Sequence, residues 1–388
     1  MDLLEYQGKE LLARHGLPVP EGGYAATVAE AVEAGDRLGY PAAIKAQVLI
    51  GGRGKAGGIK IAGDSSEAHE HAGDILGMDI VGPHGEGPFV VNELWVEAGS
   101  EIEAEYYASV ILDRSAKKLM IMLSRMGGMD VEAIAESDPE ALVKQHVDPL
   151  GGLDPETAKS VVKKAAIPAE YGEQVASILV KLVEVAVAED ATLIEINPLI
   201  VNSADEVVVL DSKTTIDGNA LFRHPELEAL DDGTAEDPQE AMAKELGLTY
   251  VKLDGDIGVL GNGAGLCMST LDVVAQAGGA PANFLDAGGG SKAQSIIDAL
   301  EVITSDSKVK AILFNIFGGI TRCDEVAKGI IEATEKTGLD LPLVVRLDGT
   351  NSEEGMALLD EAGYSHLHHE STMLGAAKRV VEMATSGD

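Results

Sequence analysis

The chain has 388 residues, 45% of them hydrophobic, which is enough for more than one domain and for sizeable cores. Its 29 basic and 65 acidic residues give a net charge of −36, which repels nucleic acids and anionic membranes and excludes both as expected partners. The two cysteines, Cys267 and Cys323, lie far apart and indicate neither a disulfide framework nor a zinc site. An acidic N-terminus and the lack of an apolar run near about 18 residues predict a soluble, cytoplasmic protein.

The acidic residues are spread along the whole chain rather than gathered in a tail. In dilute buffer their mutual repulsion should destabilise the fold, whereas molar salt shortens the Debye length to about 3 Å and removes most of that repulsion. We interpret this surface as that of a halophile with a salt-rich cytoplasm. The alternative is an ordinary acidic protein.

The first part of the chain mixes helices and strands without strict alternation, which predicts an α+β region. Hydrophobic spacing predicts helices over 3–15, 27–38, 138–146, 155–166 and 170–188. Strands are predicted over 42–48, 59–62, 89–98, 104–113 and 118–124, followed by a hairpin that pairs 192–201 with 207–217.

Residues 225–240 contain seven acids, no basic residue and two prolines, a composition typical of a linker. This predicts a first domain over 1–240 and a second over 241–388. In the second domain, strands are predicted over 257–260, 282–285, 309–314, 343–347 and 366–368. Helices are predicted to follow them over 266–277, 291–304, 323–337, 352–362 and 371–384, and this alternation indicates a parallel, doubly wound sheet.

Lys45 lies in an apolar strand directly before a glycine loop over 51–58, a position that suits a phosphate ligand. The alternative is a surface lysine that extends its ammonium group into water. The loop carries Arg53 and Lys55 among glycines, whose N–H groups can approach phosphate oxygens, although it lacks the spacing of a Walker A loop. In so acidic a chain, we favour phosphate binding over a basic hairpin tip.

Glu195 and Asn197 share one face of the predicted hairpin, and Asp211 lies on its returning strand. If the strands pair around the turn, these oxygen atoms converge. A carboxylate and an amide oxygen beside nucleotide phosphates suit Mg²⁺, which prefers few protein ligands. The alternative is an ordinary solvated polar face.

Three glycine-rich turns, over 261–265, 286–290 and 315–321, each follow a predicted strand of the second domain. Such turns would place helix N-termini around one crevice, and we therefore predict an anion site there. The alternative is that these turns only connect strands to helices. We assign no metal to His366, His368 and His369, because the sequence places no acidic or cysteine partner beside them.

Several of these segments, in the same order and over nearly the full chain, resemble the β subunits of succinyl-CoA synthetases. The resemblance rests on residues 4–7 with 16–18, 47–58, 194–199, 217–223, 262–266, 283–286 and 315–324. It implies an ATP-grasp fold for the first domain and a flavodoxin-like CoA-ligase domain for the second.

The same resemblance implies roles for particular residues. The nucleotide, ATP or ADP, would be held by Lys45, Gly52, Arg53, Gly54, Glu97, Ser100 and Glu105. Mg²⁺ would be held by Asn197 and Asp211, and the carboxylate substrate or phosphate would meet Asn262, Gly319, Ile320 and Thr321 at a subunit interface. Ser100 occupies a position at which members of this family usually have threonine, and the histidines over 366–369 are not a family feature.

The family's reaction interconverts succinate, CoA and ATP with succinyl-CoA, ADP and phosphate. The resemblance places its phosphohistidine and CoA site on a partner α subunit, in an αβ or (αβ)₂ assembly. None of the nine histidines of this chain has the glycine-rich setting that such a residue needs. Alternatives are the β subunit of a malate–CoA ligase, a non-catalytic nucleotide-binding scaffold, and a ligase that works alone; ADP is preferred over GDP on family grounds.

Overall fold

The computed structural model describes residues 1–386 except 84, 86, 130, 132–135, 137, 232–236 and 290–292. It divides into two compact units, Met1–Asp232 and Gly233–Asp388. The boundary therefore lies slightly before the expected residue 240. Residues 232–236 of the expected linker are outside the described residues.

The first unit is built mainly from antiparallel strands. They are β1 (Asp2–Leu3), β2 (Gly22–Ala25), β3 (Ala42–Ala46), β4 (Ile59–Ala62), β5 (Asp79–Ile80), β6 (Phe89–Val90), β7 (Leu94–Ala98), β8 (Ile102–Asp113), β9 (Lys118–Ser124), β10 (Leu142–Val147), β11 (Ala191–Asn202), β12 (Val207–Val209) and β13 (Lys213–Ile216). In this described part, a large sheet has the order β1-β13-β11-β8-β9-β10, with β12 also paired to β11. A smaller sheet has the order β2-β7-β3-β4, and β5 pairs with β6.

Helices cover both sheets of the first unit. They are α1 (Glu5–Arg14), α2 (Val28–Leu38), α3 (Ser65–Ile75), α4 (Pro155–Lys164), α5 (Gly172–Ala188) and α6 (Pro225–Glu228), with 3₁₀ turns at Pro139–Ala141 and Gly218–Arg223. Helices α1, α4 and α5 contribute to the core of the large sheet, whereas α2 and α3 bury small side chains against the smaller one. Helix α2 begins with a capping box between Thr27 and Glu30, a local signal that fixes its start.

The helix predicted over 138–146 is wrong. Residues Pro139–Ala141 form a 3₁₀ turn, and β10 follows as an edge strand paired antiparallel with β9. In so short a segment, the spacing of the apolar residues Leu142, Val143 and Val147 fits both the helical and the strand period, so spacing alone could not distinguish a helix from a strand. The strand predicted over 89–98 is two separate strands, β6 and β7. The helix predicted over 3–15 begins later, at Glu5, because Asp2–Leu3 pairs with β13.

The second unit contains a sheet with the predicted alternation of strands and helices. Its strands are β14 (Thr249–Lys252), β15 (Ile257–Gly261), β16 (Asn283–Asp286), β17 (Ala311–Gly318), β18 (Leu343–Gly349) and β19 (Leu367–His369), in the order β14-β16-β15-β17-β18-β19. Its helices are α7 (Pro238–Glu245), α8 (Ala264–Gln276), α9 (Ala293–Thr304), α10 (Cys323–Thr337), α11 (Ser352–Ala362) and α12 (Met373–Thr385). Two hydrophobic clusters, one with α8 and α12 and one with α7 and α9–α11, cover the two faces and confirm the doubly wound arrangement.

The second unit departs from the prediction in two places. The edge strand β14 was missed, and it runs antiparallel to β16, so the sheet is not wholly parallel. Helix α7 begins inside the expected linker, because Asp237 caps it by accepting from the N–H groups of Gln239 and Glu240. Aspartate followed by proline marks a helix start as readily as a linker.

The parallel strands bring three glycine-rich turns to one edge of this sheet. Gly261, the last residue of β15, pairs with Asp286 of β16 and with Asn315 of β17. The turns that follow these strands are therefore neighbours, as the sequence predicted; Gly290, in the second turn, is outside the described residues. No helix of the described chain combines the length and apolar character needed to cross a bilayer.

Candidate functional site

A cluster of charged side chains is buried in the first unit, where α1, β3, β7 and the glycine loop over 51–58 meet. Three bases and three acids form it: Lys9, Lys45, Arg53, Glu5, Glu97 and Asp211. All are buried except Asp211, whose side chain is 33% exposed. Buried charges of this kind require close partners, because each has lost its hydration.

Lys45 lies within this cluster on β3, with its ammonium group surrounded by oxygen atoms. Its Nζ donates to Glu5 Oε1 at 2.9 Å and to the Leu210 carbonyl at 3.0 Å, and it lies 2.9 Å from Glu97 Oε1. Burial alone would lower the pKa of Lys45, but the carboxylates of Glu5, Glu97 and Asp211 outweigh it and raise that pKa above its ordinary value. Lys45 is therefore charged, and three oxygens already face its three N–H donors.

Arg53 folds inward from the glycine loop. Its Nη1 donates to Glu5 Oε2 at 2.7 Å and to the Ala46 carbonyl at 3.0 Å, while Nη2 donates to Asp211 Oδ1 at 3.0 Å. Lys55, the other cation of the loop, is exposed. Burial would lower the pKa of Arg53, but Glu5 and Asp211 raise it, so the guanidinium is a fixed positive charge.

Lys9 and Glu97 complete the cluster. Lys9 Nζ bonds to Glu97 Oε2 and, at 3.0 Å, to the Leu210 carbonyl; Trp95 Nε1 donates to the same Glu97 oxygen at 3.1 Å. Burial and the charge of Lys45 lower the pKa of Lys9, against the opposing effect of Glu97 and Glu5. The side chain of Glu97, expected at the nucleotide, is thus engaged within the protein.

The sequence prediction missed Glu5 and Lys9. They are four residues apart on α1 and share its buried face with Gly8 and Leu12. The available signal was this pair of opposite charges at core-facing helical positions, because such positions are normally apolar.

Asn197 lies on β11, and Asp211 lies in a break between β12 and β13 rather than on the single returning strand that the sequence predicted. The flanking pairs Leu199–Val209 and Glu195–Lys213 fix the register on both sides. Both residues line a cavity of about 120 Å³, together with Glu5, Gly52, Arg53 and Glu195 among others. The strand pairing is confirmed, whereas the metal role remains a prediction.

The hydrogen bonds of this pair leave oxygen lone pairs available. Asn197 Oδ1 accepts from Gly128 N at 2.8 Å, and its Nδ2 donates to the Met129 carbonyl at 2.8 Å. Asp211 Oδ1 accepts from Arg53 and from Ser212 N, and among the described residues no hydrogen bond reaches Asp211 Oδ2. An amide oxygen has a second lone pair, so both side chains can offer an oxygen to a hard cation.

The other predicted nucleotide ligands lie around this cavity and beside it. Gly52, with φ +75°, lines the cavity, and Gly54 is exposed in the same loop. Ser100 is half-buried just after β7, whereas Glu105 lines an open groove with Arg125 and the segment 126–129. That segment connects the groove to the cavity, because Gly128 N bonds Asn197.

The turns of the second unit are tied to one another. Asn262 donates from Nδ2 to the Phe317 carbonyl and accepts from Phe317 N, both at 2.8 Å. Asp286 Oδ1 accepts from Gly263 N at 2.6 Å and from Gly288 N at 2.8 Å. The amide of Asn262, expected at substrate, therefore also holds two turns together.

The remaining predicted substrate residues differ in exposure. Gly319 is exposed, and its carbonyl accepts from Thr350 Oγ1 at 3.2 Å. Ile320 is 87% exposed, whereas Thr321 is buried. Ile320 and the exposed Phe317 thus give this edge of the sheet an apolar surface.

Several histidines are paired with carboxylates. The N···O distances are 2.6 or 2.7 Å for His15–Glu189, His146–Asp113, His224–Asp190 and His369–Asp360. The last pair supplies the 366–369 cluster with an acidic partner that the sequence did not place. Within the described residues, no histidine lines the cavity.

Comparison with known proteins agrees with this arrangement. The family model of an ATP-grasp domain matches residues 2–201, and that of a CoA-ligase matches residues 260–380. The beta subunit of the ADP-forming succinate–CoA ligase of Rubrobacter xylanophilus is 52% identical over 387 residues, covering 100% of both chains. The chain belongs to the succinate–CoA ligase β-subunit family. The family member from Natronomonas pharaonis is 49% identical over 385 residues, covering 99% of each chain.

Among solved structures, ATP citrate lyase from Methanothrix soehngenii in complex with citrate and coenzyme A has a TM-score of 0.70. It is 20% identical and covers 99% of both chains, so it supports the fold. The expected fold class of this family member is confirmed: an ATP-grasp domain is followed by a CoA-ligase domain. The charged cluster and the cavity lie in the first domain, and the three joined turns lie in the second.

Proposed function

We propose that this chain is the nucleotide-binding β subunit of an ADP-forming succinate–CoA ligase. Its reaction is the reversible conversion of succinate, CoA and ATP to succinyl-CoA, ADP and phosphate. Family membership supports the reaction. The nucleotide role rests on one observation: Arg53 lines a single cavity together with Asn197 and Asp211. Lys45 belongs to the same charged cluster as Arg53.

The nucleotide phosphates would enter this cavity. Arg53 is fixed through Nη1, so its Nη2 faces Asp211 and the cavity, where it can donate to a phosphate oxygen. The neighbouring Gly51 and Gly52 expose backbone at the cavity wall. In a chain with a net charge of −36, the Arg53 guanidinium at the cavity wall places a positive charge where an anionic nucleotide needs one.

Mg²⁺ fits the donor set of the same cavity. Asn197 Oδ1 and Asp211 Oδ2 are hard oxygen donors on residues that line the same cavity, and few protein ligands suffice for an ion that also binds phosphate. When bound, the ion would neutralise charge that develops on the transferred phosphoryl group. Arg53 would orient the phosphates, Lys45 would add its positive charge from within the buried cluster, and the hairpin would keep both oxygen donors at the cavity.

The histidine that carries the phosphoryl group would come from a partner α subunit. In the described chain, histidines are absent from the cavity lining, and several are held by carboxylates. The exposed Ile320 and Phe317 offer an apolar surface beside the joined turns of the CoA-ligase domain. We propose that the α subunit covers this surface and that the obligate interface buries above about 2,000 Å².

The assignment of substrate is tested by co-expression with the α subunit. Activity is measured in the direction that phosphorylates the nucleotide, with succinyl-CoA or malyl-CoA, phosphate and either ADP or GDP. The proposal expects the highest kcat/KM with succinyl-CoA and ADP. A preference for the malate thioester would replace it with the malate–CoA ligase alternative.

A further inference from the structure

The first residue of α1 occupies a central place in the charged cluster. The Glu5 side chain is 1% exposed. Its Oε1 accepts from Lys45 at 2.9 Å and lies 3.5 Å from Lys9 Nζ, while its Oε2 accepts from Arg53 at 2.7 Å and from Gln47 at 3.3 Å. One carboxylate thus binds both cations that the nucleotide site depends on.

We propose that Glu5 is a positioning residue of the nucleotide site, which holds Lys45 beside Arg53 and directs the Arg53 guanidinium towards the phosphates. The inference rests on the proposed function, since it assigns a second role within that same site. Glu5 acts through the two cations and need not touch the nucleotide itself.

The need for such a residue follows from electrostatics. Two buried cations that bind one carboxylate lie close together, and like charges in a poorly hydrated interior repel each other strongly. A carboxylate between the two cations offsets that repulsion and fixes the direction in which each cation points. Glu5 is in the first turn of α1, and a helix N-terminus favours negative charge because it is the positive end of the helix dipole.

Glu5 is itself held in place by Gln47, the residue that follows β3. Gln47 donates to Glu5 Oε2 through Nε2, and Gln47 Oε1 accepts from Tyr6 N at 3.1 Å. The start of α1 is therefore tied to the strand that carries Lys45. This second attachment distinguishes Glu5 from a surface counter-ion, whose side chain would be free to follow the cation.

The two cations depend on Glu5 to different degrees. Arg53 Nη1 has Glu5 and the Ala46 carbonyl as acceptors, so without Glu5 it loses its charged partner on that side. Lys45 retains Glu97 and the Leu210 carbonyl. Loss of Glu5 should therefore misdirect Arg53 first and reduce the affinity for phosphates.

The test compares nucleotides that differ in phosphate. The full-length wild-type chain and Glu5→Gln are titrated calorimetrically with Mg²⁺-ADP and with adenosine, and Glu10→Gln, an exposed position on the same helix, is the matched control. We expect Glu5→Gln to weaken ADP binding about ten- to a hundredfold, the range for one charge-assisted hydrogen bond. Adenosine binding should stay unchanged, as should both ligands in the control.

Each other outcome has a distinct meaning. Unchanged or tighter ADP binding in Glu5→Gln would overturn the inference, since it would show that the carboxylate only competes with phosphate. An equal loss for ADP and adenosine would reduce Glu5 to a structural ion pair. Failure of the wild-type chain to bind Mg²⁺-ADP would instead overturn the proposed function.

A second variant guards against a folding defect. Glu5→Asp keeps the charge but shortens the side chain by one methylene, so its oxygens no longer reach both cations at once. It should fold, bind adenosine normally and lose ADP affinity several-fold. Normal ADP affinity in a folded Glu5→Asp chain would contradict the positioning role.

Discussion

The glycine loop offers a direct test, because its two cations differ in placement while sharing one sequence context. Arg53 is 6% exposed and bonds Glu5 and Asp211 at the cavity, whereas Lys55 is exposed. If Arg53 binds a phosphate, Arg53→Ala should raise the apparent KM for the nucleotide and Lys55→Ala should change it little.

The magnitude follows from the contacts. One charge-assisted hydrogen bond contributes roughly 1.5–3 kcal/mol, which corresponds to about a ten- to a hundredfold rise in nucleotide KM. Arg53→Ala also removes a buried partner of Glu5, but Lys45 and Lys9 remain beside that carboxylate. We therefore expect a moderate loss of thermal stability rather than unfolding.

The assay measures steady-state rates of each variant with the α subunit, varying the nucleotide and succinate separately. The KM for succinate should stay constant in both variants. Arg53 does not bind the phosphates if Arg53→Ala changes only the succinate KM, or if Lys55→Ala raises the nucleotide KM as much as Arg53→Ala does.

Three further predictions follow from the same structure. Asp211→Asn should keep the fold but weaken Mg²⁺ binding and lower turnover by orders of magnitude; normal rates at limiting Mg²⁺ would exclude Asp211 as a ligand. Burial raises the pKa of Glu5, but the charges of Arg53, Lys45 and Lys9 outweigh burial and hold this pKa below its ordinary value of 4.5. The ionised Glu5 therefore stabilises the fold fully above pH 4.5, and this stabilisation is lost progressively as the pH falls from 4.5 towards the pKa of the folded state. Urea unfolding between neutral pH and about pH 4 should thus show a smaller loss of stability on acidification for Glu5→Gln than for wild type, and equal losses would contradict this. Because the net charge is −36, the melting temperature should rise steeply from low to molar KCl, and a constant value would contradict the proposed adaptation to salt.

The sequence was sufficient where local pattern determines structure. The antiparallel pairing of the hairpin arms follows from alternating residues on either side of a short turn, and this pattern predicted that Asn197 and Asp211 lie close together. The shared edge of the three glycine turns likewise follows from parallel strands, whose carboxyl ends point the same way. Both are consequences of short-range periodicity combined with strand direction.

The sequence was insufficient where distant segments meet. Glu5 and Lys45 are 40 residues apart, and nothing local showed that α1 would supply the counter-charge of a lysine on β3. The inward direction of Arg53 depends on the same long-range contact. The antiparallel edge strand β14 was missed because its pairing with β16 is also set by tertiary structure.

We propose that this chain supplies the nucleotide half of a two-subunit ligase and depends on a partner for the phosphoryl carrier. The most direct measurement incubates γ-labelled ATP and Mg²⁺ with the isolated chain, with the α subunit, and with both together. We expect an acid-labile, base-stable label on a histidine of the α subunit when both chains are present, followed by label release on addition of succinate and CoA. A phosphohistidine formed by the isolated chain on one of its own histidines would contradict it.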